Sequence, residues 1–160
     1  NHQNEFNQEF LFCIGLTKTF EELTSGYEPE NHLELLFEAL CKSTNFEPKK
    51  IKETCQITFE EFKNKSTKEI ANLLEDKKNS NLYSSRILNL GIYMVISSSI
   101  DFKGMEESEK NKIITDLFSK LNLSVSKAEK DIGIYISSIK KMDQAKELLE
   151  DIKLKNKKKS

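Results

Sequence analysis

The sequence predicts an all-α fold, and three observations lead to this prediction. Apolar residues recur at three- to four-residue intervals through most of the 160 residues, which is the period of an amphipathic helix. The chain has only 5 Gly and 2 Pro, too few for a turn-rich all-β protein. Charged residues make up 32%, as in chains of exposed helices, and 37% hydrophobic residues suffice for one core. We therefore expect a single helical domain over residues 1–152, a bundle of about seven helices, followed by a Lys-rich tail over residues 153–160.

Three helices are predicted in the first part of the chain. The first covers residues 8–25, and Gly26 follows it where a C-cap glycine belongs. Pro29 starts the second helix, which ends near Thr44, and Pro48 starts the third. Their apolar stripes are Leu11, Phe12, Leu16, Phe20 and Leu23; then Leu33, Leu36, Phe37 and Leu40; then Ile51, Cys55, Phe59 and Phe62.

Three more helices are predicted between residues 66 and 121. A capping box, Ser66-Thr67-Lys68-Glu69, starts a short fourth helix, and the polar run 76–81 after it is a predicted loop. The most apolar segment, 82–101, is too long for a strand and is expected to form a central fifth helix. Because Gly91 in its middle costs up to about 1 kcal/mol relative to Ala, we expect a close helix crossing there. A sixth helix is predicted over 105–121.

The seventh helix is the longest, covering about residues 125–155 from a second capping box, Ser126-Lys127-Ala128-Glu129. Its apolar positions alternate by four and three as in a coiled coil, with Lys146 interrupting them, so an antiparallel contact within the chain and a dimer are both open. At about 1.5 Å per residue the helix would be about 40 Å long, and part of it should project into solvent. The apolar positions are Ala128, Ile132, Tyr135, Ile139, Met142, Leu149 and Ile152.

Charge and cysteine usage narrow the class of protein. A net charge of -1 gives no global field to attract nucleic acid or an anionic membrane. Cys13, Cys41 and Cys55 lack CxxC spacing and have apolar neighbours, which favours buried thiols in a reducing compartment over disulfides. No window has the roughly 18 apolar residues of a membrane span, and the sequence opens without a charged-then-apolar leader.

The sequence offers no constellation for catalysis. Its two histidines are His2 and His32, and His32 lies beside glutamates where an ordinary solvated side chain is the simpler interpretation. A structural zinc needs about four converging Cys or His ligands, whereas the cysteines fall on separate helices. Phosphate-loop, dinucleotide and zinc-protease motifs are absent. We therefore predict a protein that is not an enzyme and that takes no cofactor and no metal.

Two regions are candidate partner surfaces. One is Tyr83-Ser84-Ser85-Arg86 at the head of the apolar helix, although the arginine could instead cap or ion-pair within the fold. The other is the outward face of the last helix, together with the stretch beyond Met142. The basic tail could attract anionic lipid or nucleic acid, but without interleaved aromatic residues a frayed helix end is the simpler interpretation. The candidate residues are Tyr83, Ser85, Arg86, Lys141, Lys146 and Glu150.

Several segments in this order resemble the thylakoid-formation family. Their collinear order carries the resemblance, which covers nearly the whole chain; Ser84 departs from it, because the family's motif usually has Tyr there. The segments are Phe10-Leu11-Phe12-Cys13-Ile14-Gly15-Leu16, Gly26-Tyr27-Glu28-Pro29-Glu30, Leu36-Phe37-Glu38-Ala39-Leu40-Cys41, Phe46-Glu47-Pro48, Ser85-Arg86 with Leu90-Gly91-Ile92-Tyr93, Glu129-Lys130-Asp131-Ile132-Gly133-Ile134-Tyr135, and Lys141-Met142-Asp143-Gln144-Ala145-Lys146-Glu147-Leu148-Leu149.

The resemblance implies a non-catalytic adaptor, peripheral or soluble, on the cytoplasmic or stromal side of the thylakoid membrane. Its expected partners are FtsH-type membrane protease complexes and photosystem II components, in membrane biogenesis and photosystem II repair. We expect a monomer or weak oligomer with no nucleic-acid partner. The alternative is a peripheral lipid- or nucleic-acid-binding module that uses the basic tail. The Lys, Asn and Ile bias suggests an AT-rich genome, such as that of a small marine cyanobacterium, rather than a plastid protein.

Overall fold

The computed structural model describes residues 2–24, 30–43, 47–76 and 85–158. Over these ranges the chain forms seven helices and no strand, which confirms the predicted all-α fold. None of the described helices is long and apolar enough to cross a bilayer. The helices are α1 (His2–Leu23), α2 (Glu30–Ser43), α3 (Pro48–Glu61), α4 (Thr67–Asp76), α5 (Arg86–Ser97), α6 (Glu107–Lys120) and α7 (Val125–Lys158).

Helix α5 lies at the centre of the bundle, as its apolar sequence predicts. It packs against α1, α4 and α7, while α1 also packs against α3, and α2 lies on α3. Leucine and isoleucine make up most of the core of the described residues, and Phe37, Phe62, Phe102 and Phe118 are its buried aromatic side chains. The largest fully buried side chains are Phe37, Phe62, Phe118, Ile14, Ile51, Ile70, Leu88, Ile92, Ile96, Leu117 and Val95.

Two glycines bring α1 and α5 into backbone contact. A Cβ atom on Gly91 would overlap the carbonyl oxygen of Leu11, and one on Gly15 would overlap the carbonyl oxygen of Ile87. The close crossing predicted at Gly91 is therefore confirmed, and its partner on α1 is Gly15.

Helix α5 is shorter than the predicted 82–101. It covers 86–97 because the Ser85 hydroxyl accepts the Leu88 N–H at 3.1 Å and caps its start. At its other end, the hydroxyls of residues 97–99 donate to backbone carbonyls three residues earlier, which competes with the helical pattern. Residues 77–84, which include most of the predicted loop, lie outside the described part of the chain.

The start of α4 is held by local and distant side chains. The predicted cap is confirmed, because Ser66 Oγ accepts the Glu69 N–H at 3.2 Å and lies 3.3 Å from Glu69 Oε1. Asp101, from the turn after α5, accepts the Thr67 backbone N–H at 2.8 Å and the Thr67 hydroxyl at 3.1 Å. These bonds tie the end of α5 to the start of α4.

The predicted core face of α2 is wrong in part. Phe37 is buried as expected, but Leu36 and Leu40 are exposed, and Cys41 takes the buried position one turn after Phe37. Leu35, beside them, is also exposed. Helix α2 packs mainly on α3, and its Phe37 ring also meets the Phe20 ring of α1 at 5.2 Å, so only a narrow i, i+4 face leaves water.

The end or the cap of some helices differs from the prediction, because the apolar residues do not mark where a helix begins. Helix α1 begins at His2 rather than at residue 8, since good helix formers such as Gln3 and Glu5 extend it beyond its apolar stripe. Helix α7 begins at Val125, capped by Ser124, whose hydroxyl accepts the Lys127 N–H at 3.3 Å. The predicted capping box two residues later is therefore wrong. Helix α6 agrees with its prediction within two residues at each end.

Helix α7 has 34 residues and is roughly 51 Å long, longer than predicted. Ala128, Asp131 and Ile132 are buried, and half-buried side chains recur along the same side as far as Lys146. Every residue from Glu147 to Lys158 is exposed. We call residues 147–158 the α7 tip; it projects from the bundle, as predicted, and carries most of the Lys-rich tail in helical form.

Candidate interaction surface

A polar cluster joins the start of α5 to α7. Asp131 is the centre of this cluster: Arg86 Nε lies 3.5 Å from its Oδ1, and Asn89 Nδ2 donates to its Oδ2 at 3.0 Å. The Asp131 side chain is only 6% exposed, whereas the Arg86 side chain is 65% exposed. Arg86 therefore forms the in-fold ion pair that the sequence left open, while its outer side stays accessible.

The cluster is held by buried polar groups rather than by apolar contact alone. Asn89 is fully buried within the most apolar helix, and its Oδ1 accepts no hydrogen bond from the described residues. A buried amide gains much of its compensation from a charged partner, so the Asn89–Asp131 bond specifies how α5 and α7 align. Of the three candidates in this region, Ser85 caps α5, Arg86 pairs with Asp131, and Tyr83 lies outside the described residues.

Two tyrosines pack one turn further along the same helix pair. The rings of Tyr93 and Tyr135 meet edge to face with centroids 6.3 Å apart, and the Tyr135 hydroxyl lies 3.9 Å from Met94 Sδ. Burial raises the pKa of both phenols above its usual range, with Glu107 adding to the shift at Tyr93 and Glu22 at Tyr135. Both rings are neutral packing elements, in line with the core role predicted for them.

The second candidate surface lies along α7. Lys141 and Glu150 are exposed, whereas Lys146 is half-buried against the bundle. Large apolar side chains share this region with them: Leu148 is 62% exposed, Leu149 58% and Ile152 46%. An exposed run of this kind on a projecting helix is a candidate contact surface.

An open depression of about 370 Å³ lies between α1 and α3. Its lining includes Lys18, Lys52, Glu21 and Glu60, and Cys55 is buried at its edge. Burial raises the pKa of the Cys55 thiol against the opposing pull of Lys18, so this sulfur is held protonated at neutral pH. A protonated, buried thiol is a poor nucleophile. Lys18 also lies 4.8 Å above the Phe59 ring, which gives it a structural role.

The remaining candidates for chemistry are dispersed. All three cysteines are buried thiols, as predicted, and burial raises the pKa of Cys41 as well. His32 lies exposed on α2, whereas the cysteines are buried. Within the described ranges, no three side chains of the His, Cys, Asp and Glu types converge as a metal site would require.

Sequence reasoning missed Asn89 and Asp131 as the residues that join α5 to α7. The available signal was a polar residue at each of two positions where an apolar one is expected. Asn89 interrupts the most apolar segment, and Asp131 lies beside Ile132 on the buried seam of α7. Buried polar residues at such positions are usually paired with each other.

The fold and the projecting helix define an all-α protein of a type already solved. A structure of Psb29 superposes with a TM-score of 0.75 and 22% sequence identity, covering 94% of this chain and 76% of the Psb29 chain. At that identity the likeness concerns the fold.

Sequence comparison then identifies the family. The family model for thylakoid formation protein matches residues 1–160. Protein Thf1 of Prochlorococcus marinus subsp. pastoris strain MED4 is 66% identical over 158 residues, covering 99% of this chain and 78% of the relative. Protein Thf1 of Prochlorococcus marinus strain MIT 9312 is 64% identical, with 100% of this chain and 80% of the relative covered. The chain belongs to the thylakoid formation protein family, as the order of its segments predicted, and these relatives are cyanobacterial.

Proposed function

We propose that this protein is a non-catalytic adaptor in thylakoid membrane biogenesis and photosystem II repair. In this proposal it binds FtsH-type protease complexes, and with them photosystem II components, from the cytoplasmic or stromal side of the thylakoid as a peripheral protein. Membership of the thylakoid formation family supports the membrane-biogenesis role. The protease and repair roles are the expectations that the family resemblance raised from the sequence.

The observation that carries the proposal is the α7 tip. A helix that extends about 18 Å beyond the bundle can enter a groove of a larger complex without rearrangement of the core. The tip exposes both apolar and charged side chains, among them Glu150, and Lys141 lies just before it. Anchors of these two kinds are typical of helix-in-groove recognition.

The test is a pull-down from detergent-solubilised thylakoid membranes with the full chain as bait. We expect recovery of the FtsH-type protease, and a truncated chain ending at Lys146 should recover roughly tenfold less. Charge reversal by Glu150→Lys should weaken recovery as well, because it changes a tip side chain. Glu53→Lys serves as the matched control, since Glu53 is also exposed but lies on α3.

Because residues 147–158 are exposed, truncation should leave the urea midpoint of unfolding unchanged, which separates lost binding from lost folding. The proposal fails if the full chain recovers no protease, or if the truncated chain recovers as much as the full chain.

A further inference from the structure

Helix α7 carries an apolar face, mostly on the α7 tip, that stays exposed in the described part of the chain. Ala145, Leu148, Leu149 and Ile152 follow the i, i+3, i+4, i+7 pattern, which places them on one side of the helix. We call these four residues the α7 stripe. Its three large side chains are between 46% and 62% exposed. Binding of any ligand that removes such a face from water is favoured by the hydrophobic effect.

Lysines border the α7 stripe, and the acidic side chains of this part of α7 lie away from it. At about 100° per residue, Lys153 and Lys155 lie along its two edges, and Lys141 lies one turn before Ala145. Lysine stems can cover apolar surface while their ammonium groups reach outward to charged ligands. The opposite side of the helix carries charges of both signs: the acidic side chains Asp143, Glu147 and Glu150, and the lysines Lys140, Lys157 and Lys158.

This arrangement fits a helix that lies in the interface of a bilayer. There, apolar side chains enter the boundary of the acyl chains, basic side chains at the edges meet lipid headgroups, and acidic side chains face water. The complementary charge for Lys141, Lys153 and Lys155 is an anionic headgroup. Each lysine near such a surface contributes electrostatic attraction that depends on salt concentration.

A second copy of the chain is a poorer occupant of the α7 stripe. Two stripes paired in parallel would bring Lys153 and Lys155 of the two copies together, and like charges repel. The stripe also spans only about two helical turns, shorter than the three to four heptads that a coiled coil sustains. A lipid surface imposes no such register or length.

We propose that α7 binds the surface of an anionic lipid bilayer through the α7 stripe, with the helix axis parallel to the membrane. Lys141, Lys153 and Lys155 contact the headgroups, and the opposite side of the helix, with Glu150, stays in water. This deepens the proposed peripheral attachment to the thylakoid, on which it rests, and it requires no protease. It also differs from a general effect of the basic tail, because it assigns binding to leucines as well as to lysines.

The first test measures co-sedimentation of the full chain with vesicles that contain phosphatidylglycerol. We expect binding that weakens with added salt, and little binding to vesicles of phosphatidylcholine alone. Leu149→Gln should weaken binding roughly fivefold or more, because it removes a leucine that the bilayer would bury. Leu154→Gln is the matched control: Leu154 is 59% exposed, against 58% for Leu149, but it lies on the side of the helix opposite the α7 stripe.

The second test separates edge lysines from basic charge in general. Lys153→Gln combined with Lys155→Gln should weaken binding to anionic vesicles by roughly tenfold or more and flatten its salt dependence. Lys140→Gln combined with Lys158→Gln removes the same charge from the side away from the α7 stripe, and should have a much smaller effect.

Three outcomes would overturn the inference. The first is an equal loss of vesicle binding in Leu149→Gln and Leu154→Gln, and the second is equal binding to both kinds of vesicle. The third is a chain that does not bind vesicles but self-associates, or captures an acidic protein, through the α7 stripe. If vesicles are not bound while the protease is recovered, the inference fails and the adaptor proposal stands. If vesicle binding depends on the α7 stripe while no protease is recovered, the inference stands and the adaptor proposal fails.

Discussion

At the scale of single residues, Gly15 and Gly91 determine how closely α1 and α5 approach. Each glycine faces a backbone carbonyl of the opposite helix, so a side chain at either position would meet backbone rather than a movable side chain. Backbone atoms cannot turn aside as a rotamer can, so the helices would have to separate. The cost of glycine in a helix predicted a close crossing at Gly91. The sequence could not identify Gly15 as its partner, because that role depends on which helix packs against α1.

Gly91→Ala is expected to lower the free energy of unfolding by about 1–3 kcal/mol, because the added methyl group overlaps the Leu11 carbonyl. Urea unfolding followed by circular dichroism measures this. Gly133→Ala is the control, since Gly133 is also helical but has open space around it. That substitution should raise stability by up to about 1 kcal/mol through helix propensity. Equal effects of the two substitutions would contradict the crossing.

A second residue-scale feature is the Asp101 carboxylate at the start of α4. Its partial burial alone would raise the pKa, but hydrogen bonds from the Thr67 N–H and hydroxyl outweigh that effect and lower the pKa. A carboxyl whose pKa is lower in the folded state stabilises the fold above its unfolded pKa, near about 4. That contribution is lost as the pH falls through the lowered folded pKa.

We therefore expect Asp101→Asn to be less stable than the parent chain at pH 6 to 7, with the difference shrinking as the pH falls below about 4. Comparing the two chains cancels the titration of the other carboxylates, which both share. The measurement is the free energy of unfolding of each chain across this range. A stability difference that does not change with pH would show that the ionised Asp101 carboxylate does not stabilise the fold.

At the scale of helices, Asp131 is the link between α5 and α7. Asp131→Ala is expected to cost about 1–3 kcal/mol, because it leaves the buried Asn89 amide without its acceptor. Arg86→Gln should cost less than about 1 kcal/mol, since that ion pair is largely in water on the arginine side. Thermal unfolding of the two variants measures the contrast. A larger loss from Arg86→Gln than from Asp131→Ala would contradict this assignment.

Helix positions were more predictable than helix faces and ends. Pro48 and Ser66 fixed two starts because they act locally, through a preset backbone angle and a capping hydroxyl. The buried face of α2 was mispredicted because a leucine stripe does not reveal how many neighbours a helix has. The start of α7 near residue 125 was predicted, but its cap was assigned to the wrong serine because Ser124 and Ser126 are both suitable caps, and only the path of the chain selects Ser124.

At the scale of the whole molecule, the candidate surfaces divide into two kinds. Ser85 and Arg86 were suggested by a motif, and the fold gives both of them internal partners that no local pattern could reveal. Lys141 and Glu150 were suggested by the expectation of a projecting helix, and both are exposed on α7. The amphipathic order of the tip could have been read from residues 141–155, but its exposure depended on where the bundle ends.

The dimensions of α7 have a mechanical consequence. The helix rests on the bundle from Val125 to about Lys146, roughly 33 Å, and extends freely for roughly 18 Å. The part of α7 that packs on the bundle is longer than the part that extends freely. A force on the free end is therefore resisted by the whole packed side of the helix, which includes Asp131. Whatever binds the tip is held at a fixed angle to α1 and α5. A membrane lying along the α7 stripe would in this way decide which flank of the bundle turns toward lipid and which toward the aqueous side.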